Sequence, residues 1–103
     1  MHSIRLQHPW KCCPQGNGFC WSRAFHWPAG ERPKEKTRLV VAELPVSAVV
    51  SLNERPLAAD GAGHFDITSL LGPDNRITIE LAGRAPASQT EFPFEVRLEI
   101  FEA

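Results

Sequence analysis

The residues best suited to binding chemistry fall on alternate positions of one short stretch. Trp21, Arg23, Phe25 and Trp27 share a parity with Phe19, so an extended backbone puts four aromatic rings and one guanidinium on a single face. His26 projects from the other side, and Trp10 lies on the preceding strand. Sugars bind by laying a ring's apolar face on an indole while Arg and His bond the hydroxyls. Trp21, Arg23, His26 and Trp27 are therefore the candidate ligand-binding residues. The same alternation also describes core packing between two sheets. Arg23 must then reach water or find a partner, one option being a buried ion pair with Asp66. Both readings remain open at this level.

Cys12, Cys13 and Cys20 flank an Asn17-Gly18 reversal. If the hairpin pairs symmetrically about positions 16 and 17, Cys13 faces Cys20. Three thiolates with His8 or His26 would make a tetrahedral zinc set, but Cys12 and Cys13 are adjacent and point to opposite faces, and the usual two-residue knuckle spacing is missing. No metal and no cofactor is expected. A Cys13–Cys20 disulfide and free thiols stay as alternatives, with the odd count favouring free thiols in a reducing compartment. Finding only one free group in the denatured, unreduced protein would contradict three free thiols.

Nothing assembles a catalytic set. Ser22 and His26 would lie on one face of a strand but roughly 13 Å apart, and there is no Gly-x-Ser-x-Gly elbow or Gly-rich phosphate loop. Glycoside hydrolysis needs two carboxyl groups facing a cleft. Glu80, Glu95 and Glu99 instead alternate with Arg76 and Arg97 on what reads as a wet outer face. Asp66 or Thr68 reads as the cap of a short helical turn at Ser69-Leu70-Leu71, and capping is the role Asp66 suits. No enzyme activity is expected of the chain.

The elements that carry these residues are short. Seven Gly and nine Pro in 103 residues leave no stretch suited to a long helix. Ile77, Ile79 and Leu81 alternate with polar neighbours, as do Phe94, Val96, Leu98 and Ile100, and each set reads as a strand with one buried face. Val46, Ala48, Val50 and Leu52 make another, and Ser3 to His8 alternates weakly through Ile4 and Leu6. Thr37 to Leu44 is apolar on both parities and reads as a central strand covered on both sides. Gly16-Asn17-Gly18 and Asp60-Gly61-Ala62-Gly63 mark tight reversals. The sum is an all-β chain, an antiparallel β-sandwich.

Composition sets outer bounds. One domain over 1–103 is expected, with a core large enough to stand without metal or many disulfides. Eleven basic against twelve acidic side chains give a net charge of −1, which carries no footprint for nucleic acid or an anionic membrane. The longest apolar run, Leu39-Val40-Val41-Ala42, stops at Glu43, far short of the roughly 20 residues a spanning helix needs. Met1 to Cys20 has no apolar core of a signal segment. With the odd thiol count, this gives a cytoplasmic location as the expectation.

Taken in order, several segments resemble the jelly-roll sugar-binding domain at the N-terminus of family 2 glycoside hydrolases, of galactose-binding-like fold. They are Trp21-Ser22-Arg23-Ala24-Phe25-His26-Trp27-Pro28, Val49-Val50-Ser51-Leu52-Asn53, His64-Phe65-Asp66-Ile67-Thr68-Ser69-Leu70-Leu71, Asn75-Arg76-Ile77-Thr78-Ile79-Glu80-Leu81 and Glu95-Val96-Arg97-Leu98-Glu99-Ile100. They span residues 19–101, so the first 18 residues lie outside the likeness. The resemblance implies a sandwich that accompanies a separate catalytic barrel, hence a non-catalytic binding or accessory module with a carbohydrate or protein partner. The alternative is a small structural or assembly domain without sugar binding. Glu54 stands where the family pattern has Gly after Asn, so a looser connection through Arg55-Pro56 is expected there.

Overall fold

The structure, a computed structural model, describes residues 2–7, 10–16, 18–27, 35–44, 47–58, 63–82 and 94–102. Among them the chain forms nine strands and no helix: β1 (His2–Arg5), β2 (Lys11–Gln15), β3 (Gly18–His26), β4 (Glu35–Val41), β5 (Val49–Leu52), β6 (Arg55–Pro56), β7 (His64–Asp66), β8 (Asp74–Ala82) and β9 (Val96–Glu102). They pair antiparallel in two sheets, one ordered β1-β9-β4-β7 and the other β2-β3-β8-β5-β6. The fold is an all-β antiparallel sandwich. The first 18 residues contribute to both sheets, through β1 beside β9 and β2 beside β3.

Period-two patterning explains the layers. Leu39, Val41, Phe65, Val96 and Leu98 from the four-stranded sheet meet Cys12, Trp21, Phe25, Val50, Leu52, Ile77 and Ile79 from the five-stranded sheet in one buried cluster. Each large apolar side chain removed from water in this way contributes about 1.5–3 kcal/mol. Val40, on the opposite parity of β4, is buried too, as the doubly apolar run predicts. Val50 and Leu52 point inward while Val49 is exposed; Val46 lies outside the described residues.

Three local expectations change. The carboxylates do not all sit on a wet face: Glu99 is only 6% exposed. Arg38, its register partner on β4, and Arg97, two residues along β9, close over it, and the Phe101 ring lies 4.6 Å beneath the Arg38 guanidinium. Residues 68–70 form a single turn and no helical one forms over 69–71, with the Leu70 N–H donating to the Ile67 carbonyl. Asp66 does cap it, accepting from the Thr68 N–H at 3.0 Å and hydroxyl at 2.7 Å. Gly72 and Asn75 end it at once, because the Asn75 amide takes both the N–H and the carbonyl of Gly72.

The third concerns Glu54. The β5–β6 connection is tight: Leu52 pairs with Arg55, and Asn53 and Glu54 both take positive φ, 52° and 69°. Two successive left-handed residues make the turn that matches strand twist in a two-residue hairpin. Asn53 holds it by bonding the Arg76 backbone through both its own N–H and its side-chain carbonyl, and by donating to the buried Asn75. That network fixes the Glu54 backbone without a glycine. At Gly63 the close approach does require glycine, since φ is +80° and a Cβ would lie 2.1 Å from the Val41 carbonyl.

One asymmetry positions the site. All nine residues of β3 pair with β8, but only Gly18 to Ser22 pair with β2. Arg23 to His26 therefore form a rim of the five-stranded sheet among the described residues.

Candidate functional site

Beside that rim, β1 is the edge of the other sheet, and a cleft of about 390 Å³ opens between them. Ile4, Leu6, Phe25 and Leu98 give it an apolar lining, and Arg23, His26 and Trp27 bring the polar and indole groups. Three of the four expected ligand residues thus meet in one concavity. Trp21 does not join them. Its parity and its register opposite Ile79 carry it into the sandwich interior, where it is 0% exposed. Its ring is packing, and no sugar can reach it there.

Arg23 is held in place by two backbone carbonyls. Its Nε donates to Gln7 and its Nη1 to Ala24, which ties the chain after β1 to the β3 rim. The Arg23–Asp66 pair, one of the options for this guanidinium, does not form: Asp66 sits on β7, occupied with Thr68. Among the described residues Nη2 has no partner and is the donor left to meet a ligand.

His26 and Asp74 are register partners at the ends of β3 and β8, with Nδ1 and Oδ1 2.7 Å apart and both side chains exposed. A carboxylate accepts, so Nδ1 is the donor of this pair. Trp27 continues the ladder, its N–H donating to Pro73, and its half-buried indole rests against the core.

Sequence reasoning missed the other wall. Ile4, Arg5 and Leu6 come from β1 and the residue after it, and only a weak alternation marks them in the sequence. Arg5 donates twice to Glu95, and this bond chiefly holds the Glu95 carboxyl below the usual range. Arg5 and Leu6 form a ridge shared with a second hollow of about 330 Å³ lined also by Trp10 and Phe94. Trp10 is buried and donates its indole N–H to the Leu6 carbonyl at 2.9 Å, which fixes that ridge from beneath.

The cysteines are free. Cys13 does face Cys20, as hairpin symmetry predicts, whereas Cys12 lies opposite Trp21 in the core. Among the described residues no three His, Cys, Asp or Glu side chains gather as a metal set, and no helix is long and apolar enough to cross a membrane.

In fold the chain is similar to an FMN-binding beta-glucuronidase from Facaelibacterium prausnitzii L2-6, with a TM-score of 0.62 and 19% sequence identity. The likeness covers 96% of this chain but 22% of that one, so the chain spans under a quarter of the enzyme it matches. No family model matches the sequence, and no curated protein matches it.

Proposed function

We propose that the chain is a non-catalytic β-sandwich module that binds carbohydrate weakly in the cleft between β1 and the β3 rim. The observation that carries this is the convergence of Arg23, His26 and Trp27 on one apolar-lined concavity. An indole offers a stacking plane and Arg23 Nη2 a donor, with the exposed His26 at the rim, the complement of a sugar ring with its hydroxyls. The resemblance to the sugar-binding domain of family 2 glycoside hydrolases supports the reading, as does a fold shared with part of a β-glucuronidase. Chemistry on a glycosidic bond would fall to another part of such an enzyme.

The test is an amide NMR titration of the protein with neutral and acidic mono- and oligosaccharides. Expected are shifts confined to residues 4–6 and 23–27, with a Kd of about 1 mM or weaker. Trp27→Ala should weaken binding about 2- to 10-fold, the worth of one aromatic stacking contact. Unchanged spectra at saturating sugar would refute carbohydrate binding.

A second reading is favoured by one observation. Ile4 is 44% exposed on an edge strand whose four residues are all exposed, a surface suited to a protein neighbour. Under it, Ile4→Asp would abolish partner capture while sugar titrations stay silent.

A further inference from the structure

On the outer face of the five-stranded sheet, Cys13 of β2 and Cys20 of β3 sit directly opposite each other, one exposed and the other half-buried. We propose that this pair is a thiol–disulfide exchange site that reacts with low-molecular-weight disulfides such as oxidised glutathione. Directly opposed residues of an antiparallel pair have Cα atoms about 4.5–5.5 Å apart, inside the range of about 4.4–6.8 Å that a disulfide spans. The rival pairing fails on the same measure. Cys12 and Cys13 are consecutive, with Cα atoms about 3.8 Å apart across a trans peptide, and Cys12 faces the core.

Exposure assigns the order of events. The Cys13 thiolate attacks one sulfur of the small disulfide, forms a mixed disulfide and expels the first thiolate. Cys20 then gives its proton to solvent and attacks the Cys13 sulfur, which closes the cross-strand bond and expels the second thiolate. The protein gives up two electrons and two protons; the small disulfide takes the electrons and departs as two thiols. Burial first, and Glu80 beside it on β8 second, push the Cys20 thiol up, which suits it to the later step. In its reduced form Cys20 lies 3.6 Å from the Trp21 carbonyl as a weak donor.

Folded wild-type protein is incubated with oxidised glutathione in mildly alkaline buffer, quenched, alkylated and digested for mass spectrometry. The expected product has lost two hydrogens, has Cys13 joined to Cys20, and has a Cys12 that alkylates only after denaturation. Reduced glutathione should restore three alkylatable thiols. Three unreacted thiols, a lasting glutathione adduct on Cys13 beside an unreacted Cys20, or Cys12 within the linkage would each overturn the proposal. Cys20→Ser should stall with glutathione on Cys13, and failure to form that adduct would remove Cys13 as the attacking group.

Discussion

Glu99 shows how much a single side chain depends on what closes over it. Its Oε1 accepts from Arg38 Nε and Nη2 and its Oε2 from Arg97 Nε, while the carboxylate is almost wholly removed from water. The Arg38 bonds hold its pKa below the usual glutamate range, against an opposing push from burial. A carboxylate lowered on folding stabilises the native state above its unfolded pKa of about 4.3, and that stabilisation is lost as pH falls through the lower folded value. Asp66, lowered chiefly by the Thr68 hydroxyl, and Glu95, lowered by Arg5, act in the same direction. Glu99→Gln should cost about 1–3 kcal/mol near neutrality and give a shallower loss of Tm on acidification. Parallel Tm-against-pH curves for the two proteins would contradict this. Such burial is not legible from Glu99 itself, whose alternation with Arg97 describes a wet face equally well; the lid comes from Arg38, 61 positions away.

At the scale of elements, the β5–β6 hairpin stores strain that one substitution releases. Glu54 occupies a left-handed conformation that costs an L-residue roughly 1–2 kcal/mol, part of which glycine returns as entropy of the unfolded chain. Glu54→Gly should therefore stabilise by about 0.5–1 kcal/mol, seen as a higher urea midpoint at unchanged slope. A lower midpoint would mean that the Glu54 side chain contributes a contact worth more than the strain. Strand faces were the legible part of this fold, since period two is local: it assigns Ile77, Ile79, Val96 and Leu98 to the interior, while for Trp21 and Phe25 it gives a shared face and only the structure shows that face to be core. The Cys13–Cys20 register was equally legible, because a short reversal fixes it. Which strands become neighbours was not. The cleft needs β1 against the β3 rim, and no local pattern in Ile4 or Leu6 names that partner. Asn53 and Asn75 stand in the recognised motif positions, but only the structure shows them bonded to each other.

Across the whole molecule, β8 and β3 lie inside one sheet and β9 and β4 inside the other, whereas β6 and β1 are edges. Hydrogen exchange should follow that order, because amides flanked on both sides and backed by the core open only on global unfolding. Slowest exchange is expected at Trp21, Ile77, Ile79, Leu39 and Leu98, and fastest at Arg55 and the residues of β1. Equal protection at β1 and β8 would contradict this layering. The part of β3 that has no strand beside it among the described residues bears on how separate molecules behave toward one another. A sheet border with open backbone groups is where foreign strands add on and fibrils begin. Here the Arg23 guanidinium occupies the Ala24 carbonyl on that border. An incoming strand would first have to displace a cation from its bond, so the arginine that faces the cleft also guards this border against stacking.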